Sequence, residues 1–277
     1  MQYAGHTMGV PSLNLQGAMS LFSELGFDGV EIRCAKDGQL DTETVDQAYL
    51  ELIKQWSDDL ELAISCLTSY YRDFVTERRD SEILALKRVV QIAYELRCPL
   101  IRLYGGTEPS PRGYSLSETW DRTVSGIREL ADYAEARGIC CCIETHVGSL
   151  SYSIEDSVRM VREVDRKNVG LLLDFAWVYM AGATDARSVI DLCKPYLLHC
   201  HYKDWRITSR EGHVVREARL MGEGDLPWKD VLMALRESGY DATMTDEYEK
   251  YWHPDRLPDA REGMKKNLEF VRSIIDS

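Results

Sequence analysis

Residues 139–174 read ICCCIETHVGSLSYSIEDSVRMVREVDRKNVGLLLD. The run 139–145 is β-rich and carries a carboxylate, Glu144, near its end; a second run, 169–175, places Asp174 after three leucines. Between them, Ile154, Val158 and Val161 recur at helical spacing. A strand, an amphipathic helix and another strand in this order form a repeating unit for a parallel sheet.

The same unit recurs in both directions. β-rich runs fall at 3–9, 29–33, 62–68, 100–104, 139–145, 169–175, 197–203 and 242–247, and apolar residues at helical spacing at 15–25, 45–59, 82–96, 116–137, 154–164, 186–194, 227–237 and 258–275. Eight strand–helix pairs predict one α/β domain over residues 1–277, a single (β/α)8 TIM barrel. A doubly wound open sheet is the structural alternative, but no Gly-x-Gly-x-x-Gly follows the first strand. Gly26, Gly138 and Gly239 each stand between a helix and the next strand, where a left-handed C-cap is made without a Cβ penalty. Pro227, following Asp225, fits the opening turn of a helix.

Composition narrows the function classes. With 46 acidic against 33 basic residues the chain has a formal net charge of −13, which disfavours nucleic acid as a partner. No apolar run approaches the roughly 20 residues needed to span a bilayer, and no basic stretch with an apolar signal core opens the sequence, so a cytoplasmic protein with no membrane partner is expected. The eight cysteines form no Cys-x-x-Cys pair and read as small buried hydrophobes. The oligomeric state is left open, a homo-oligomer included.

In such a barrel, functional side chains project from the C-terminal ends of the strands. That rule selects Glu144 after Cys140-Cys141-Cys142-Ile143 and Asp174 after Leu171-Leu172-Leu173, each a carboxylate whose burial requires a cation. In the seventh run the two-residue period puts His199, His201 and Lys203 on one face, and in the eighth it groups Thr243, Thr245, Glu247 and Glu249. Three carboxylates and one imidazole, Glu144, Asp174, His201 and Glu247, thus converge from four successive strand ends. This is a mixed oxygen and nitrogen donor set for a divalent metal ion such as Mn, Mg, Co or Zn.

These residues, in this order, resemble the xylose-isomerase-like superfamily of sugar isomerases, epimerases and inosose dehydratases. The resemblance is carried by Leu25-Gly26-Phe27-Asp28-Gly29-Val30-Glu31, Ile143-Glu144-Thr145-His146, Leu173-Asp174, His201-Tyr202-Lys203-Asp204, Met221-Gly222-Glu223-Gly224-Asp225 and Glu247-Tyr248-Glu249. It implies the same four metal ligands, with Glu144 and Glu247 also placed as the catalytic proton carriers. Members often have a histidine three residues after the strand-six aspartate; this chain has Trp177 there, and its substrate should differ accordingly.

The expected activity is a metal-dependent isomerase or epimerase acting on a carbohydrate or cyclitol through a metal-stabilised enediolate. The alternatives are an inosose or keto-sugar dehydratase (a lyase) on the same site, an abasic-site phosphodiesterase of the endonuclease IV kind, and a non-catalytic sugar-binding barrel. Only six histidines and an acidic chain argue against the phosphodiesterase. His146, Trp177, Lys203, Arg206, His6 and Tyr104 are expected to contact substrate. Asp204 is expected to orient a ligand histidine. Glu31, Arg33 and Tyr70 sit at the same rim, and 252–256 reads as a loop over the mouth with Trp252 and His253. The lack of a Gly-rich loop with Lys favours an unphosphorylated substrate.

Overall fold

The computed structural model of the protein describes residues 1–210 and 212–277. Seven strands lie side by side in parallel: β1 (Gln2–His6), β2 (Gly29–Cys34), β3 (Ala63–Ser69), β4 (Leu100–Tyr104), β5 (Cys140–Glu144), β6 (Val169–Asp174) and β7 (Leu197–Tyr202). The chain then makes an antiparallel hairpin, β8 (Asp204–Arg210) and β9 (His213–Arg219), before β10 (Thr243–Asp246) enters between β7 and β1 and closes the barrel. The closed eight-stranded TIM barrel is the fold the repeating unit predicts.

Around it run α1 (Leu15–Leu25), α2 (Gln47–Asp59), α3 (Arg79–Glu95), α4 (Leu116–Glu135), α5 (Ile154–Val164), a short α6 (Phe175–Met180), α7 (Ala186–Cys193), α8 (Trp228–Glu237) and α9 (Ala260–Ile275). Side-chain caps start most of them. Ser115 and Glu118 form a reciprocal capping box on α4, and Asn14, Asp46, Ser153, Asp185 and Asp259 each accept a backbone N–H. The three glycines singled out above take left-handed φ values of 86°, 68° and 78°. Each helix lays an apolar stripe against the outside of the barrel; Phe22, Ile53, Val89, Ile127, Val161, Leu232 and Val271 are all buried there. Full burial of one such side chain contributes about 1.5–3 kcal/mol. Among the described residues, no helix is long and apolar enough to cross a membrane.

Three local departures from the sequence reading matter. The first strand stops at His6, because its Nδ1 accepts the Met8 N–H at 3.0 Å and turns residues Thr7–Gly9 into a 3-10 helix. Helix α6 begins directly after β6, capped by Asp174 through the Ala176 N–H. The β8–β9 hairpin fills the stretch the sequence reading left between strand and helix.

The barrel interior has its own layer, formed by Cys66, Cys142 and Leu172 with Leu100 and Leu198 against them. All eight cysteines are free, and seven are buried. Register then fixes the next layer: Asp174 pairs with His201, and His201 with Thr245, so the ends of β6, β7 and β10 stand at one height.

Candidate active site

Two residues beyond each interior position, the side chain points into the barrel mouth. Glu144 follows Cys142, Asp174 follows Leu172, His201 follows His199, and Glu247 follows Thr245. One donor atom from each of Glu144, Asp174, His201 and Glu247 lies within 4.8 Å of the others. The structure therefore brings together the four residues selected by strand-end position.

Neighbouring charges hold each of them. Arg102, on β4, donates from Nη1 to Glu144 Oε2 at 2.7 Å, with both side chains buried. Lys203 Nζ lies 2.7 Å from Asp174 Oδ2, donates to Glu247 Oε2, and stands 3.9 Å from Glu249 Oε1. Burial alone would push the Glu144 carboxyl up, but the Arg102 guanidinium and His201 bring it down to about 2. Burial likewise opposes ionisation of Glu247, yet Lys203 and His201 hold it well below the usual carboxylate range. Asp174 goes the other way: burial outweighs Lys203, and with Glu247 and Glu144 nearby it is pushed up to about 7.

Glu31, fully buried on β2, is the hub behind the histidines. It accepts from Thr68 Oγ1, from His199 Nε2 at 2.9 Å and from His201 Nε2 at 3.0 Å. Burial would raise its carboxyl, but His201 and His199 keep it well below its ordinary value. An ionised carboxylate only accepts hydrogen bonds, so His201 donates from Nε2 and turns Nδ1 to the cluster. Among the described residues that Nδ1 has no hydrogen-bond partner; it lies 3.3 Å from Glu144 Oε1 and 3.5 Å from Glu247 Oε2. His6 Nε2 is 3.7 Å from Glu31 Oε1, and burial lowers its imidazole to about 4, so it is neutral.

The donor set fits a divalent cation. It supplies three carboxylates and an imidazole nitrogen without a hydrogen bond, backed by a carboxylate on the far ring nitrogen, the usual support for a ligand histidine. Glu31, His199 and His201 form a second group with donor atoms in reach of one another. There, however, the carboxylate is already committed to Thr68 and both imidazoles.

Above the cluster is a cavity of about 550 Å³ whose wall includes His6, Tyr104, His146, Trp177 and Lys203, all expected substrate contacts, together with Glu144 and Glu247. Tyr70, Trp252 and His253 also reach it. Arg206 does not line it. Strand β8 carries Arg206 outward, where it pairs with Asp225 at 3.2 Å and donates to the Glu223 carbonyl at 2.7 Å. Among the described residues Asp204 hydrogen-bonds to no histidine; it accepts the N–H groups of Trp205, Gly222, Gly224 and Leu226.

Several cavity residues escape the sequence reading: Arg102, Arg72, Trp205 and Arg216, as well as the central role of Glu31. Arg102 left a signal, since an arginine inside the apolar run Leu100-Ile101-Arg102-Leu103-Tyr104 must find a buried anion. Arg216 left none, because its position depends on the hairpin.

A family profile described as xylose isomerase-like TIM barrel matches residues 19–274. An inosose dehydratase of Geobacillus thermodenitrificans is 25% identical over 193 residues, 65% of this chain and 61% of the relative. A D-psicose 3-epimerase of Ruminiclostridium cellulolyticum is 30% identical over 132 residues, 46% of this chain and 41% of the relative. The chain thus spans less than two thirds of the length of either relative. A crystal structure of the IolI protein with a bound zinc atom is alike in fold, with a TM-score of 0.83 at 18% identity, covering 100% of this chain and 98% of that one.

Proposed function

The chain belongs to the xylose isomerase-like TIM-barrel family, and from that premise we propose that it is a divalent-metal-dependent isomerase or epimerase of a carbohydrate or cyclitol. One observation carries this reading: two glutamates, Glu144 and Glu247, belong to a single metal-type donor cluster and also line the cavity above it.

Glu144, Asp174, His201 and Glu247 would hold the ion, here Mn, Mg, Co or Zn, which when bound draws off the negative charge that builds on a substrate carbonyl and its neighbouring hydroxyl. Glu144 and Glu247 are both kept ionised by their cationic neighbours, so either can accept the carbon-bound proton as it becomes acidic. Returning that proton to the adjacent carbon isomerises the substrate, and delivery to the opposite face of the same carbon epimerises it. Lys203 balances the carboxylate charge and keeps Glu247 in place. Trp177, Tyr104 and His146 give the cavity an aromatic wall against which a sugar ring packs.

A second reading, dehydration of a keto-cyclitol or keto-sugar, is supported by the likeness to the inosose dehydratase. On this reading the Lys203 ammonium, beside Glu247, donates to the departing β-hydroxyl.

The test is the metal content of the purified protein together with proton–deuterium exchange, followed by NMR in heavy water, on ketoses, inososes and keto-sugars before and after chelation. Exchange that needs metal and vanishes in Glu144→Gln is the expected result. Full metal occupancy with no exchange on any compound overturns the reading, and water loss in place of exchange selects the dehydratase.

A further inference from the structure

Four cationic side chains line the cavity: Arg72, Arg102, Lys203 and Arg216. Two are spoken for, Arg102 by Glu144 and Lys203 by Asp174 and Glu247. The other two have no acidic partner among the described residues, in a chain whose acidic residues outnumber its basic ones by 46 to 33. Both lie against rings instead. Arg216 Cζ is 4.2 Å from the centroid of Trp177 and 5.1 Å from that of Trp205, and Arg72 Cζ is 5.7 Å from that of Tyr104.

Those rings form one continuous wall. Tyr104 meets His146 at 5.0 Å between centroids, His146 meets Trp177 at 5.0 Å, and Trp177 meets Trp205 at 4.8 Å. Arg72 stands at one end of this arc and Arg216 at the other. Stacking occupies the face of a guanidinium and leaves its edge N–H groups free to pair with a planar or tetrahedral oxyanion. By contrast Arg206, ten residues before Arg216 on the same hairpin, spends its N–H groups on Asp225 and Glu223.

We infer that the substrate carries an anionic group, a carboxylate or a phosphate, which seats on Arg216 while the carbonyl end reaches the cluster of Glu144, Asp174, His201 and Glu247; Arg72, at the far end of the arc, adds its positive field to the cavity without touching the same anion. The inference rests on the proposed function and narrows its substrate to an acidic polyhydroxy ketone. The anion is held by a side chain of the hairpin, so no Gly-rich loop is needed.

The test separates binding from turnover. Intrinsic tryptophan fluorescence, to which Trp177 and Trp205 contribute, is titrated with D-fructose, D-fructose 6-phosphate and 5-keto-D-gluconate, at low and high salt, in the metal-loaded protein and in Arg216→Gln, Arg72→Gln and Arg206→Gln. An anionic ketose should bind at least about tenfold more tightly than the neutral one, as a charge-assisted contact requires. The preference should shrink with salt and be lost in Arg216→Gln, weakened in Arg72→Gln and retained in Arg206→Gln. Which of the two anions gains more assigns carboxylate or phosphate. Equal binding of neutral and anionic ketoses, or a preference that survives the Arg216 and Arg72 substitutions, overturns the inference. Proton exchange on the same compounds reports the underlying reading separately. Exchange on the neutral ketose without anion preference leaves that reading standing and removes the inference. Anion preference without exchange on any ketose retains the anion seat and removes the reading.

Discussion

Glu31 accepts the Nε2–H of His201 at 3.0 Å, and that contact fixes which nitrogen of the imidazole faces Glu144 and Glu247. Glu31→Gln keeps the shape but replaces an acceptor-only group with an amide that can present a donor to the ring. Metal binding should weaken by about 10–100-fold, the usual consequence of losing a partner behind a ligand histidine. Titration with zinc or manganese measures this, with circular dichroism confirming that the barrel is intact. An unchanged affinity in a folded variant would show that His201 is oriented by packing alone.

The same histidine makes metal uptake a competition with protons. Burial disfavours its charge, but Glu31 and Glu247 raise the imidazole well above its ordinary value, and burial pushes Asp174 up to about 7. Both groups have raised pKa values, so both carry protons on the acidic side and lose them as pH rises. Affinity for the ion should therefore increase from mildly acidic to mildly alkaline buffer, with about one or more protons released per ion bound. Calorimetry in buffers of different ionisation enthalpy counts those protons. A release of none would place the ion away from His201 and Asp174.

Arg102 and Glu144 form a buried pair in which each partner answers the other's charge. Arg102→Met leaves Glu144 ionised without a cation or forces it to bind a proton, and should destabilise the fold by about 3–5 kcal/mol. Adding Glu144→Gln removes the stranded charge and should recover most of that loss. Urea denaturation of the two single variants and the double variant closes the cycle. If Arg102→Met alone is as stable as the parent protein, the pair does not support the fold.

The barrel was legible because its signal is repeated: a parallel strand buried on both faces reads as an apolar run, and each run here is followed by a helix with one apolar stripe. The metal-type cluster was legible for a related reason. Glu144 and Asp174 break apolar runs at strand ends, where only a mouth position tolerates a carboxylate. What the sequence concealed depends on register and tertiary contact. Glu31 looks like any rim carboxylate until β1, β2 and β7 are assembled and His199 and His201 are found beside it. The hairpin of β8 and β9 alternates polar and apolar residues too weakly to announce itself. It nonetheless turns Arg206 out to Asp225 and brings Arg216 onto Trp177.

The hairpin also explains Asp204, read from sequence as a support for a ligand histidine. Its Oδ2 accepts the N–H of Gly222 at 3.0 Å and of Gly224 at 2.9 Å, and its Oδ1 that of Trp205 at 2.8 Å, tying the return of the chain after β9 to the start of β8. A Cβ on Gly224 would collide with this carboxylate, so turn and aspartate are built for each other. Asp204→Ala should cost about 1–3 kcal/mol through backbone donors left unsatisfied. It should also loosen the wall that carries Trp205 and Arg216 and raise KM more than it lowers kcat. Metal affinity should stay as in the parent protein, because among the described residues no hydrogen bond joins Asp204 to His201. Urea melts and a metal titration on one preparation separate the roles: a stability loss with metal binding intact confirms the brace, whereas a tenfold loss of metal affinity at unchanged stability would return Asp204 to the role of orienting the ligand histidine.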